Sequence, residues 1–338
     1  MRQHSLTSFA CIVALVLTAT AAEARSPWLF LSPPQGGVSM EVTAIGAHAH
    51  IIGTYTAGGG ARHAYLRKPD GTVANIDMPG MSLTTVQGVN AKGAVTGYVE
   101  SSGGTVSGFM RDAGGSYSTF DVPGVTSTTP HAISGKGAIA GDAELSDGST
   151  EGFVRDRHGN IATFTVPAMT GLQTIAINDK GAVVGNFESN TGVHGFLRSA
   201  NGSITTLSVP GALNTTVTGI NLGGQIVGYY DVGGNPAPHG FVRAANGTFT
   251  TIDVAGAGIA TAAATEVSGI NMLGQMTGFF EDTGGRLHGF VRDASGTYTQ
   301  LDAPGATQTG ALGIAANGKI VGSADGTKAY RLNARGWE

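Results

Sequence analysis

The chain has 338 residues, a formal net charge of −4, 12% charged residues, 55 glycines and one cysteine. The mildly negative balance, with no basic run, argues against nucleic acid and anionic membrane surfaces as partners. Glycine-rich, charge-poor chains can be disordered, but here the apolar positions are strictly patterned and the glycines fall at turns, which favours a folded chain.

Residues 1–24 read as a secretory signal peptide. Arg2 and His4 give a weakly basic start, an apolar run follows from Phe9 to Leu17, and Ala22-Glu23-Ala24 forms a small-x-small cleavage site before Arg25. The run is too short to span a membrane, and no other segment could. Cys11 lies inside this leader, so the expected mature chain, 25–338, has no cysteine and no disulfide wherever it is exported, to periplasm or medium.

From Trp28 onward one phrase recurs about seven times. It reads roughly Gly-Ile-Asn-x-x-Gly-x-Ile-Val-Gly-Tyr, an acidic Gly-rich turn, His-Gly-Phe-Val-Arg-Asp, then Gly-Thr-Tyr-Thr-Thr-Ile-Asp-Val-Pro-Gly-Ala. Its aromatic anchor falls at Tyr65, Phe109, Phe153, Phe196, Phe241, Phe290 and Tyr330, in steps of 44, 44, 43, 45, 49 and 40 residues. A fixed period in this range signals a repeat architecture. The fifth copy shows its parts: Thr215–Asn221, Gln225–Tyr230, His239–Arg243 and Thr248–Val254 are short runs of Val, Ile, Thr and aromatics. Asn-Leu-Gly-Gly joins the first pair and Ala-Ala-Asn-Gly the last, as tight hairpins require. Four antiparallel strands in such a period predict an all-β chain, a seven-bladed β-propeller of four-stranded blades forming a single domain. A β-solenoid repeats at shorter intervals, and a sandwich does not repeat. The seventh copy stops at Lys328-Ala-Tyr-Arg-Leu without a fourth strand, while Trp28–Pro34 (WLFLSPP) matches that strand. The N-terminal segment is therefore expected to complete the last blade and close the ring, removing two free edges.

The repeated phrase resembles the extracellular HAF-repeat family, named for its His-Ala-Phe-type element. That element stands here as His63-Ala64-Tyr65, His194-Gly195-Phe196, His239-Gly240-Phe241 and His288-Gly289-Phe290. The resemblance covers the mature chain and implies export and a propeller-like fold; it implies no settled activity. Ser107, Glu151 and Lys328 replace the His in the other copies.

The repeating His could ligate metal, but equivalent positions lie on different blades. A hydrogen bond inside each blade is expected instead, from His63, His194, His239 and His288 to Asp77, Ser208, Asp253 and Asp302. The Arg column (Arg67, Arg111, Arg155, Arg198, Arg243, Arg292) is expected to pack along blade surfaces. His48-x-His50 reads as an exposed turn, and the acidic turns near Glu100, Glu144 and Asp231 as solubilising.

Deviations within the repeat carry more functional information. Two polar columns of the first strand share one side by alternation. One holds Glu41, Thr85, Thr129, Gln173, Thr216, Glu266 and Gly310; the other holds Thr43, Gln87, His131, Ile175, Thr218, Ser268 and Leu312. Glu41 and Glu266 are two steps apart in a closed ring. With His131 they form the candidate catalytic set; Gln87, Gln173, Thr43, Thr218 and Ser268 are candidate ligand-binding residues. Glu41 and Glu266 could hold Ca²⁺, which suits carboxylate, amide and hydroxyl oxygens. Such an ion would polarise an ester or lactone carbonyl, as in acylated homoserine lactones, while a carboxylate or His moves protons. The nucleophile elbow, zincin, phosphate-loop and dinucleotide signatures are all absent from the sequence. Three readings stand. The first is a secreted binding propeller for a small molecule, glycan or protein at the channel mouth. The others are a Ca²⁺-assisted hydrolase and a purely structural surface protein.

Overall fold

A computed structural model describes residues 26–34, 36–166, 170–233, 235–254 and 262–333. The leader and its cleavage site lie outside them. Every regular element among the described residues is a strand, and no helix there is long and apolar enough to cross a membrane.

Each repeat folds into an up-and-down four-stranded antiparallel unit. In the fifth, Asn214–Ile220 pairs with Ile226–Val232, that with Asn235–Arg243, and that with Phe249–Ile252. The boundaries differ from the expected runs by a few residues, mostly where Gly or Asn bends the chain. The tight turns need a positive φ that glycine supplies: Gly247, at φ +99°, lies within the turn closed by Ala244 and Thr248.

Seven such units were expected as separate sheets. Five four-stranded sheets and one eight-stranded sheet are found. The large sheet joins the second and third units through a single parallel bridge, Ser127↔Val106, where the third unit's first strand meets its neighbour's third strand. In one four-stranded sheet the outermost strand is Trp28–Phe30, paired antiparallel with Lys328–Leu332 in the register Phe30↔Tyr330. Trp28 packs edge-on against Tyr330 at 4.9 Å, and Leu31 N donates to Ala329 O at 2.9 Å. The two ends of the chain thus share one sheet, as the missing fourth strand implied.

The core lies between sheets. The anchors Tyr65, Phe109, Phe153, Phe196, Phe241, Phe290 and Tyr330 are all fully buried, each contributing about 2–3 kcal/mol over exposure. The rings lie against the invariant second-strand glycine. A Cβ on Gly278 would sit 2.0 Å from Glu266 O and 2.7 Å from the Phe290 ring, and Gly53 stands likewise against Glu41 O and Tyr65. The outer crossover is tied by first-strand threonines: Thr84, Thr128, Thr215 and Thr309 accept N–H bonds from Met78, Val122, Val209 and Ala303. First strands of successive units pack side by side, and Thr309–Ile314 of the last lies against Gly37–Ile45 of the first.

Candidate functional site

Two cavities lie along the packed first strands, and the strands' register determines what faces them. Along Leu83–Val89, half-buried Thr85 and Gln87 alternate with buried Thr84, Val86 and Gly88. Pairing with the second strand skips a residue at the same place in every unit: it passes from Val86 to Gly88, from Pro130 to Ala132, and from Val217 to Gly219. The skipped residue sits on a β-bulge, which re-aims its side chain. Thr43, Gln87, His131, Ile175, Thr218, Ser268 and Leu312 all hold this position. Thr43, Gln87, Thr218 and Ser268 consequently line one cavity of about 330 Å³ with Ile175 and Leu312. Gln173 lies one column further along, paired with Asn186.

Two residues beyond the bulge comes an aliphatic ring, Ile45, Val89, Ile133, Ile177, Ile220, Ile270 and Ile314, around a second cavity of about 300 Å³. Its rim is the set of first hairpin turns, which are hydrogen-bonded from unit to unit. Asn90, Asn178, Asn221 and Asn271 donate through Nδ2 to the carbonyls of Ser134, Asn221, Asn271 and Ala315, at 3.0–3.2 Å. Lys136 N donates to Asp179 Oδ1 at 3.1 Å, and Ala316 N to Ala47 O at 3.0 Å, which ties the last turn to the first. Sequence reasoning assigned these asparagines to their own turns. Their recurrence at one position was the signal for the longer reach.

The far end of the channel carries the two carboxylates in unlike surroundings. Glu41 is largely exposed and ion-paired with Arg62 at 2.9 Å. Glu266 is half-buried, and burial raises its pKa. The Glu266 carboxylate makes no hydrogen bond or ion pair with another described residue; its neighbour Tyr229 is shifted upward by burial and by the Glu266 charge. Between the two carboxylates stands the seventh unit, where Gly310 has no side chain and Ser323 replaces the Tyr98, Tyr229 or Phe279 of other units. Two hollows open there. One, of about 160 Å³, runs from Phe279, the strand partner of Glu266, to Gly310 and Ser323; the other, of about 230 Å³, runs from Ser323 to Glu41. Leu312 borders both and the channel cavity. The second-strand column behind these hollows was not identified from sequence; its only signal was variability beside an invariant glycine.

His131 is held away from a free role. Its Nε2 lies 2.8 Å from Asp142 Oδ2, and buried Asp142 also accepts from Thr174 N at 2.9 Å and from the Thr174 hydroxyl. The repeating histidines bond within their units as expected: Nδ1 of His63, His194, His239 and His288 meets Asp77, Ser208, Asp253 and Asp302 at 2.5, 3.0, 3.0 and 2.7 Å. The arginines stack on rings; Arg155 lies 4.9 Å from the Phe120 centroid and Arg198 5.1 Å from Phe164. Among the described residues no group of three or more His, Cys, Asp or Glu is placed to hold a metal.

No protein-family model matches the chain, and no curated protein matches it. Solved structures do. Virginiamycin B lyase from Staphylococcus aureus, in an inactive form with quinupristin, aligns at TM-score 0.58 and 13% identity, over 90% of this chain and 98% of that one. YCF48 bound to D1 peptide aligns at TM-score 0.51 and 11% identity, over 92% and 96%. A prolyl endopeptidase aligns at TM-score 0.60 and 13% identity, over 88% of this chain and 50% of that one. At these identities the likeness shows the fold alone: the chain has a β-propeller fold.

Proposed function

We propose that the seven units form one closed propeller domain, exported by the 1–24 leader, and that it is a binding protein. Its ligand, a small molecule, glycan or peptide segment, enters at the carboxylate end of the channel. The observation that carries this reading is the opening at the seventh unit. Gly310 and Ser323 leave adjoining hollows between Glu41 and Glu266, bordered by Leu312 of the channel cavity. Convergent polar groups in the main concavity are the default ligand site. Phe279 supplies an apolar wall and Ser323 a hydroxyl; Glu41 borders the second hollow, and Glu266 is the strand partner of Phe279 beside the first. Propellers of like fold are known with quinupristin and with D1 peptide, so the test spans both ligand sizes.

The hydrolytic alternative has weaker support. Arg62 already neutralises Glu41, and Asp142 already engages His131, so a Ca²⁺ ion at Glu41 and Glu266 would have to displace an ion pair. The experiment is a thermal-shift panel of oligosaccharides, peptides and acyl lactones on the mature protein, with titration calorimetry of hits. A Cβ on Gly310 meets nothing closer than 3.8 Å, so Gly310→Leu fills the hollow without disturbing the strand. Hits are expected to weaken tenfold or more in that variant. No hit in the panel, or hits indifferent to Gly310→Leu, would refute the site. Lactone or ester turnover that needs Ca²⁺ and stops in EDTA would replace binding with hydrolysis.

A further inference from the structure

The small net charge conceals a division between the two ends of the channel. Among the described residues, every Lys and Arg except Arg62, Arg286 and Lys328 lies in the half with the first hairpin turns. Every Asp and Glu except Asp70, Asp112, Asp156, Asp179 and Asp293 lies in the other half. The three exceptional cations are each in an ion pair, with Glu41, Asp302 and Asp325. In the turn half, no described Lys or Arg is in an ion pair. The acids there are spent on backbone N–H groups: Asp70 on Thr72, Asp156 on His158 and Asn160, Asp293 on Thr297. A uniform spread of charge gives no such pattern; the five Asp of this half keep their charge, but thirteen described Lys and Arg outnumber them, so the face is net cationic.

The same face displays apolar side chains. Leu222, Met272 and Leu273 are 39%, 57% and 60% exposed. They occupy the first hairpin turns of the fifth and sixth units, which the Asn221 Nδ2 to Asn271 O bond ties together. Exposed Lys92, Lys136 and Lys180 occupy the equivalent turns of the second, third and fourth units. The ladder of turn-to-turn bonds holds all of them in one layer around the channel rim.

We propose that this turn face docks on an anionic lipid bilayer, with Leu222, Met272 and Leu273 entering the interface and the lysines lying at the headgroups. Charge complementarity and apolar protrusion together point to a bilayer. A bilayer surface offers a plane of negative charge over an apolar layer, and the lysines and the three apolar side chains of this rim meet both. A soluble polyanion would satisfy the lysines and leave the three apolar side chains in water. The carboxylate mouth then faces away from the bilayer, open to the ligand. This proposal does not depend on the binding site at that mouth.

The test is co-sedimentation of the mature protein with phosphatidylcholine vesicles, with and without phosphatidylglycerol, at low and high salt. Binding is expected only with phosphatidylglycerol, and it weakens with salt. Lys92→Glu/Lys136→Glu/Lys180→Glu should weaken it by roughly tenfold or more, and Met272→Asp/Leu273→Asp should weaken it with the lysines intact. All five positions are exposed, so unchanged melting shows that the variants are folded. No binding to either vesicle, or equal binding to both, would overturn the proposal. So would heparin binding that outcompetes vesicles and ignores Met272→Asp/Leu273→Asp, which would identify a soluble polyanion instead.

Discussion

Asn221→Asp isolates one rung of the turn ladder. Asn221 is buried; its Oδ1 accepts from Gln225 N at 3.0 Å, and its Nδ2 donates to Asn271 O at 3.2 Å and to Gln225 Oε1 at 2.8 Å. Aspartate keeps the acceptor that closes the turn and loses the donor that reaches the next unit. The Gln225 amide can flip to donate to the new carboxylate, so that contact is recoverable. The Asn271 carbonyl keeps its bond from Gly274 N at 3.1 Å but loses the one from the neighbouring unit, and one lost hydrogen bond costs about 0.5–1.5 kcal/mol. Desolvation of the new carboxylate adds to this, for a predicted loss of about 2–4 kcal/mol near neutral pH. In a chain of this size that corresponds to a fall in Tm of roughly 3–6 °C. The sign with pH is fixed. Burial raises the folded-state pKa of the new carboxyl, so the penalty is present above that pKa and is relieved as pH falls through it, where the protonated acid can donate to Asn271 O again. Asn221→Ala should lose stability at both pH values. Urea unfolding near pH 7 and near pH 4, each referenced to wild type, reads this out. A loss under about 0.5 kcal/mol at neutral pH, or one equal at the two pH values, would refute the rung.

The other predictions concern closure and the core. Leu31→Ala should cost about 2–5 kcal/mol in urea unfolding, because Leu31 is buried where the N-terminal segment meets Ala329; a loss below about 1 kcal/mol would mean the N-terminal strand does not stabilise the last unit. Gly278→Ala should abolish soluble folded protein or lower Tm more than Leu31→Ala does, since its Cβ meets backbone at 2.0 Å; near-native melting would contradict the packing of the second strand on Glu266 O.

Much of the fold was legible because the repeat states it seven times. The four strands per unit, the transfer of the missing fourth strand to Trp28–Phe30, and the His63–Asp77 type of bond all follow from comparing copies. The bulge column was legible as polarity, through Thr43, Gln87, Thr218 and Ser268, though alternation alone did not reveal that it is a bulge. What was not legible depends on side-chain reach between strands and on relations between units. Arg62 reaching Glu41 and Asp142 reaching His131 join strands that sequence cannot align to the ångström. The opening at the seventh unit comes from two small residues, Gly310 and Ser323, that read as unremarkable turn-rich sequence. The division of charge was hidden because a whole-chain sum cancels it; only the alternation of strand direction sorts Lys92 from Glu266.

The most direct measurement is Glu266→Gln, read for stability and for binding together. Burial raises the Glu266 pKa, so its ionised form costs stability above the folded-state pKa, and the cost disappears as pH falls towards the unfolded value. Under the proposed function the carboxylate is retained, despite that cost, because it contacts the ligand. Glu266→Gln is predicted to raise Tm near neutral pH, to lose that gain near pH 4, and to weaken every hit from the ligand panel. A variant that gains no stability near neutral pH, or that binds those ligands as wild type does, would contradict the account.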